Sequence, residues 1–153
     1  MTNSGVHQKG TFTLQNAIDN IKKDPNYPKA GAIAFFVGVV RGETLENGEK
    51  VQKLVIESYE EKANQVLAKI SSDLCKKHGV VNVQIHHLEG EFNVGEELVY
   101  VAVAGSHRTD VFPVLREAVE RYKHEAPLFK KEHITTAKGT AAEYWVSEKE
   151  NRQ

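Results

Sequence analysis

The stretch GAIAFFVGVV, residues 31–40, contains the longest apolar run of this sequence and decides which folds are open to it. A continuous run of this kind is typical of a strand buried within a domain. It is far too short to cross a bilayer, which takes about 20 apolar residues. Gly38 interrupts the larger side chains and indicates a bulge or a close approach of backbone. The stretch therefore predicts a buried strand in a globular domain.

Outward from this strand, helices and further strands follow one another without strict alternation. On the N-terminal side, DPNYP at residues 24–28 breaks the chain after a first helix. On the C-terminal side, Asn47-Gly48 is a hairpin turn signal that predicts a returning strand. The predicted strands beyond the first are 51–57, 80–88, 97–104, 133–137 and one around 144–146, and the predicted helices are 14–23, 59–78 and about 110–126. This order predicts an α+β fold.

Capping residues indicate where the helices begin. Thr13 is expected to cap the first helix. Ser58, with a glutamate three residues later, has the spacing of a capping box for the second. Thr109 or Asp110 is expected to cap the third helix. Pro113 then falls in the first turn, where proline is tolerated.

Composition excludes several classes of protein. The chain has 153 residues with 20 Lys and Arg against 21 Asp and Glu, so it lacks the basic excess typical of nucleic-acid binders. Residues 1–10 are polar, and no signal peptide is expected there. Cys75 is the single cysteine, which excludes an internal disulfide and favours a reducing cytoplasm. Metal-binding and phosphate-loop motifs are absent from the sequence, so neither a metal site nor a nucleotide cofactor is predicted.

The end of the third predicted helix carries a group of lysines. The apolar stripe predicted for this helix consists of Phe112, Leu115, Val119 and Tyr122, with Ala118 beside them. Lys123 borders the stripe, and Lys130 and Lys131 follow after a turn that allows one of them to approach it. Lysines at such a boundary are most often solvated, with their stems covering apolar surface. Lysines that converge would instead form an anion site or supply a reactive amine.

Two further groups of basic residues follow predicted strands. Ser106-His107-Arg108 lies between a strand end and a helix start, where backbone N–H groups and the helix dipole favour anions. Arg108 adds a guanidinium that suits a phosphate group. Arg41 follows the first strand. A capping or core role for His107 and a solvated position for Arg41 remain open on these residues alone.

Four segments, in order, resemble the family of the large, catalytic subunit of molybdopterin synthase. GAIAFFVGVVRG (31–42) is similar to the family's GxxxxFxGxVR segment, and LVIESYEEKA (54–63) is similar to its strand-to-helix segment with E-x-Y. GEFNVGEELVYVAVAGSHR (90–108) resembles its glycine-rich turn and strand that end in His-Arg. YKHEAPLFKKE (122–132) resembles its K-x₂-AP-x₂-K signature, and Trp145 matches a tryptophan near its C-terminus.

The resemblance implies a fold, partners and a reaction. It implies an α+β fold of hammerhead type, with a mixed sheet and about three helices, in a single domain at residues 11–149 that forms a homodimer. Residues 1–10 and 150–153 are then polar tails. The implied partner is a small ubiquitin-like subunit with a thiocarboxylated Gly-Gly tail, in a 2+2 heterotetramer. The implied reaction transfers its sulfur to cyclic pyranopterin monophosphate, and two transfers form the dithiolene of molybdopterin. No cofactor, nucleic acid or membrane is implied.

The resemblance also implies the site. Lys123 aligns with the lysine regarded as catalytic in the family, and Lys130 aligns with a second important lysine. The substrate-binding positions carried over by motif are Val39, Val40, Arg41, His107, Arg108, Lys123, Lys130, Lys131 and Glu132. In the family, the His-Arg pair reaches the pocket of the other protomer.

Some features of the sequence depart from the family, and one alternative function remains. Lys149 stands where relatives often have an arginine, so it keeps the charge without the bidentate fork. Residues 133–143 match only loosely. The alternative is a non-catalytic module that binds a ubiquitin-like tail or a phosphorylated metabolite, because the same basic residues would serve it. Lys123 and Lys130, both at motif positions, favour the enzyme.

Overall fold

Seven strands form one sheet in the computed structural model, which describes residues 4–45 and 48–146. The strands are β1 (Gly5–Gln8), β2 (Ala32–Val39), β3 (Lys50–Ser58), β4 (Val80–Asn93), β5 (Glu97–Gly105), β6 (Leu128–Thr135) and β7 (Ala141–Val146). The helices are α1 (Leu14–Lys22), α2 (Glu60–Cys75) and α3 (Arg108–Glu125), with a 3₁₀ turn at Tyr27–Lys29. The predicted α+β class is confirmed, as are its three helices.

The sheet is mixed and has the order β2-β5-β4-β3-β6-β7. All of these neighbours are antiparallel, and β1 pairs in parallel with β4. Alternation along β5 sends Val101 and Val103 into the main core under α2 and α3, and Ala102 and Ala104 into a smaller cluster with Ile21 of α1. Both faces of the central strands are therefore covered by helices.

The N-terminal segment belongs to the sheet, which corrects the prediction of a polar tail at 1–10. Residues 5–8 pair with residues 86–89 of β4, and the Val6 side chain is buried. The Val6 N–H also donates to Asn64 Oδ1 of α2 at 2.7 Å. A four-residue strand with polar neighbours is too short to show a hydrophobic period in the sequence. Pairing with β4 stabilises it.

The residues at helix starts differ from the prediction in two of three cases. Thr13 forms the predicted cap, because its hydroxyl accepts from the Asn16 N–H at 3.2 Å. Ser58 caps nothing: it is the last residue of β3, and its hydroxyl donates to Glu89 Oε2 at 2.6 Å. The third helix begins at Arg108 with His107 as its N-cap. The predictions for Thr109 and Asp110 were therefore wrong.

The buried face of α3 also differs from the prediction. Its buried residues are Val111, Val114, Ala118 and Tyr122. Phe112, predicted within the stripe, is 58% exposed. Pro113 lies in the helix interior rather than in the first turn. The branched side chains fit the close approach of helix to sheet, and the larger phenyl ring is left on the outer face.

The apolar stretch at residues 31–40 forms the edge strand β2, which corrects the prediction of a buried strand. Among the described residues β2 pairs with β5 and with no other strand, and its side chains from Ala32 to Gly38 are half-buried. The predicted bulge is present, as a register shift between Gly38 and Val39. Asn47 of the predicted turn and Lys149 lie outside the described residues.

Candidate active site

A cavity of about 500 Å³ opens where the end of β2, the end of α3 and strand β6 meet. Its lining consists of Phe36, Val37, Gly38, Val39, Val40, Arg41, Leu45, Val51, Leu54, Leu98, Val99, Tyr122, Lys123, Lys130, Glu132 and Val146. Most of the lining residues are apolar, and the charged ones are three cations and one carboxylate. The arrangement suits an anionic ligand that also carries an apolar portion.

The last turns of α3 place Lys123 at the wall. Tyr122 is 2% exposed, and its ring packs edge-on against His87 of β4 with ring centroids 5.8 Å apart. Lys123 is the next residue and is half-buried. Pro127 disfavours helical backbone at Ala126, which is extended and turns the chain directly into β6. The helix end is thereby fixed two residues before β6, which brings the next lysines back to the same region.

Strand alternation along β6 separates the two neighbouring lysines. Lys130 and Glu132 face the cavity together. Lys131 faces the opposite side of the sheet, where its Nζ lies 2.9 Å from Glu143 Oε2 and 5.3 Å from the centroid of Trp145. The hydrogen bond from Lys131 holds the pKa of Glu143 below its usual value. Lys131, named as a substrate-binding candidate, thus lies outside the cavity of this protomer.

The end of β2 supplies Val39, Val40 and Arg41. Val40 is anchored twice: its N–H donates to the Glu96 carbonyl at 3.0 Å, and its carbonyl accepts from the Gly95 N–H at 2.8 Å. Beyond Arg41, the Gly42 carbonyl accepts from the Val51 N–H at 2.9 Å. The backbone on both sides of Arg41 is therefore hydrogen bonded, although its side chain is exposed.

His107 and Arg108 lie at the far end of β2 from the cavity. Gly105, just before them, pairs with Ala32, whereas Glu97 at the other end of β5 pairs with Val39. Seven residue steps of strand separate these ends by roughly 23 Å. Both side chains are exposed, and neither lines the cavity. Within one protomer, the His-Arg pair does not complete the site.

Apart from Val39 and Val40, the apolar wall was not predicted as part of the site. Leu45, Leu98 and Val146 all line the cavity. Val146 is positioned by its pairing with Lys130 across β6 and β7. Pairing of Lys130 with Val146 would have indicated that Val146 lies at the site. The pairing could not be predicted, because β6 was expected to begin at residue 133 rather than 128. Leu45 follows the bend after β2 and carries no sequence signal of its own.

The described residues contain neither a cluster of metal-ligating side chains nor a membrane-spanning helix. No group of three or more His, Cys, Asp or Glu side chains within 4–45 and 48–146 is arranged to hold a metal ion. None of the helices in this part of the chain combines the length and the apolar character needed to cross a bilayer. The cavity lining presents three cations, one carboxylate and apolar side chains to a ligand.

Comparison with known proteins agrees with the geometry. Residues 7–125 match the family model described as MoaE protein. A probable molybdopterin synthase from Haloferax volcanii is 36% identical over 137 residues, which cover 90% of this chain and 51% of that protein. The chain thus spans about half the length of that relative.

Two further comparisons cover nearly the whole of the matched protein. The molybdopterin synthase catalytic subunit of Pyrococcus abyssi is 32% identical over 141 residues, or 92% of this chain and 88% of that protein. The crystal structure of molybdopterin synthase from Staphylococcus aureus has a TM-score of 0.78 at 26% identity and covers 95% of this chain and 98% of its own. The chain therefore belongs to the MoaE protein family, whose curated members named here are molybdopterin synthases.

Proposed function

We propose that this chain is a catalytic subunit of molybdopterin synthase and that its cavity is the active site for sulfur transfer. The donor is the thiocarboxylated tail of a small ubiquitin-like subunit, and the acceptor is cyclic pyranopterin monophosphate. The observation that carries the proposal is the convergence of Arg41, Lys123 and Lys130 on one cavity. Both reactants are anions, and three cations hold two anions together against their mutual repulsion.

Each cation has a distinct role in this proposal. Arg41, at the cavity mouth, is suited to bind the phosphate by its planar guanidinium. Lys123, beside the buried Tyr122, is the general acid and base. The donor sulfur forms a C–S bond to a carbon of the acceptor while a C–O bond of that carbon breaks, and Lys123 protonates the departing oxygen; the product of this step is a thioester between the acceptor and the tail. Water then cleaves the acyl–sulfur bond, so that sulfur stays on the acceptor and the tail leaves as a carboxylate. Lys130 stabilises the negative charge that develops on the acyl oxygen.

The proposal includes an assembly. His107 and Arg108 lie too far from their own cavity to serve it, so we place them in the cavity of a second protomer within a homodimer. One small subunit binds to each protomer, which gives a 2+2 heterotetramer. We place the reaction in the cytoplasm, because the single Cys75 fits a reducing compartment.

Substitution of Lys123 tests the proposal directly. The Lys123→Ala variant should retain binding of the small-subunit tail and lose dithiolene formation by about 10²- to 10⁴-fold, because the proton carrier is absent. The measurement supplies purified thiocarboxylated small subunit and cyclic pyranopterin monophosphate and follows the product. Full sulfur transfer by this variant would contradict the assignment.

The alternative function is a module that binds the tail or a phosphorylated metabolite without chemistry. The basic cavity alone would serve that role equally well. The same assay separates the two functions, since a module binds the tail and forms no product with the wild-type chain. An RNA or DNA binder is disfavoured by the formal net charge of −1.

A further inference from the structure

The turn between β4 and β5, residues 93–96, lies directly against the strand end that carries Arg41. Both hydrogen bonds that anchor Val40 come from this turn, one from the Gly95 N–H and one to the Glu96 carbonyl. Gly95 adopts φ +86°, so the turn has a backbone conformation that side chains disfavour. Since Val40 immediately precedes Arg41, the position of the turn sets the position from which the guanidinium reaches the cavity.

Lys9 clamps this turn from outside the cavity. It follows β1, and its Nζ donates to the Glu91 carbonyl at 2.8 Å and forms an ion pair with the Glu96 carboxylate. The same ammonium lies 5.3 Å from the ring centroid of Phe92, which is buried in the core. Asn93 Nδ2 donates to the other oxygen of the Glu96 carboxylate at 3.0 Å. The ammonium thus ties the last residues of β4 to the far end of the turn.

The Glu96 carboxylate of the clamp is charged near neutral pH. The hydrogen bond from Lys9 is the largest influence that lowers the pKa of Glu96. The two side chains are 39% and 34% exposed, so solvent screens the pair only in part. The ends of the ion pair belong to different segments, and it therefore restrains the turn rather than one helix or strand alone.

We infer that Lys9 is a positioning residue for the active site and that it acts on Arg41 through Glu96 and Val40. The inference rests on the proposed function for its kinetic consequence, but its structural consequence is independent of any reaction. Without the ammonium, Glu96 keeps only its hydrogen bond from Asn93, and the turn holds Val40 less firmly. The backbone position of Arg41 is then less well defined. The affinity for phosphate therefore falls more than the rate of the chemical step.

Three single variants and the Lys9→Met/Glu96→Gln double variant test the clamp. Lys9→Met keeps the aliphatic stem over Phe92 and removes the charge, Lys9→Arg restores a cation, and Glu96→Gln removes the other partner. The matched control is Lys69→Met, because Lys69 forms an exposed ion pair with Asp73 on α2, a helix that contributes nothing to the cavity lining. Three quantities are measured for each: amide hydrogen exchange at Val40 and Gly95, the dissociation constant of inorganic phosphate, and KM and kcat for dithiolene formation.

Lys9→Met should speed exchange at Val40 and Gly95 by about tenfold, since opening of the turn becomes easier. The phosphate dissociation constant and the KM for the pterin should each rise about fivefold with kcat nearly unchanged, the pattern of lost ground-state binding. Lys9→Arg should return the phosphate dissociation constant and KM to near their wild-type values. Glu96→Gln should reproduce the defect, and the Lys9→Met/Glu96→Gln double variant should be no worse than either single variant. Lys69→Met should leave all three quantities unchanged.

Two results would overturn the inference. Unchanged exchange at Val40 in Lys9→Met would show that Lys9 does not hold the turn. Faster exchange with unchanged phosphate binding and KM would show that the clamp is structural and does not position Arg41. If the wild-type chain forms no dithiolene, the proposed function fails, and exchange together with phosphate binding still decides the role of Lys9.

Discussion

Lys130 and Lys131 are adjacent in sequence and lie on opposite faces of β6, which makes them a matched pair. We predict that Lys130→Ala lowers kcat/KM for sulfur transfer by about 100-fold, because a charge-assisted contact to an anion is lost. Lys131→Ala should lower it less than about threefold, since this side chain contacts Glu143 and Trp145 outside the cavity. Steady-state kinetics on the two variants gives the comparison. Equal losses would mean that Lys131 also reaches substrate.

A hydrogen-bonded ladder of polar side chains crosses the face of β4 under α1. Asp24 Oδ2 accepts from Asn82 Nδ2 at 2.8 Å, and Asn82 Oδ1 accepts from Gln84 Nε2 at 3.0 Å. His86 Nε2 therefore donates to Gln84 Oε1 at 2.8 Å. His86 Nδ1, the other ring nitrogen, then accepts from His7 Nε2 at 3.0 Å, which joins β1 to the ladder. Each amide oxygen of the ladder accepts, so His86 Nε2 carries a proton, and the neutral ring that burial favours leaves His86 Nδ1 as an acceptor.

Burial lowers the pKa of His86 to about 3, and the unfolded chain titrates near 6.5. The unfolded state therefore binds the extra proton first as pH falls, and stability is lost progressively from about pH 6.5 toward 3. We predict a loss of about 2 kcal/mol in the free energy of unfolding between pH 7 and pH 5 from this residue. Urea denaturation at several pH values measures it.

His86→Gln is expected to be less stable at pH 7 and to lose most of this pH dependence, because the titrating ring is gone. His78→Gln, on the exposed turn after α2, provides the control and should keep the wild-type slope. An unchanged slope in His86→Gln would assign the acid sensitivity to other groups.

At the scale of elements, the bulge at the end of β2 shapes the mouth of the cavity. A Cβ on Gly38 would lie 2.5 Å from Val99 Cγ1 and 3.3 Å from Leu98 Cδ1, and both neighbours also line the cavity. We predict that Gly38→Ala lowers the free energy of unfolding by about 1–3 kcal/mol, the usual effect of overpacking. Urea denaturation of the wild-type chain and the variant measures this. A neutral Gly38→Ala would show that β2 and β5 separate easily.

Long periodic elements were predictable from sequence, and details that depend on neighbours were not. Motif order placed Arg41, Lys123 and Lys130 in one site, and the structure brings all three to one cavity. The side of β6 that each lysine faces depends on where the strand starts, and pairing of β6 with β3 from Leu128 onward decides that. The exposure of Phe112 likewise depends on how closely α3 approaches the sheet. Tertiary packing supplies this information, and local periodicity does not contain it.

For the whole molecule, the unpaired edge of β2 suggests how the proposed dimer forms. Residues 32–40 carry no charge and no proline, so they lack the usual features that keep an edge strand from pairing. Two β2 strands paired antiparallel about a two-fold axis would set Ala32 of each protomer near Val39 of the other. Because Gly105 pairs with Ala32, Arg108 would then be carried toward the opposite cavity, beside Arg41. A composite site explains why this pair lies so far from its own cavity.

Mixing two inactive variants tests whether the sites are composite. We predict that Arg108→Ala and Lys123→Ala are each nearly inactive alone, because every site in either homodimer lacks one group. After subunit exchange, half of the dimers are mixed. In each mixed dimer one cavity has lost both groups, and the other combines an intact Lys123 with an intact Arg108 from the partner subunit. Activity should therefore recover to about a quarter of the wild-type value.

Mixing Lys123→Ala with Lys130→Ala is the control, since both side chains line the same cavity and no mixed dimer contains a complete site. No recovery in the test would mean that Arg108 serves its own protomer, and recovery in the control would mean that Lys123 and Lys130 do not act in the same cavity.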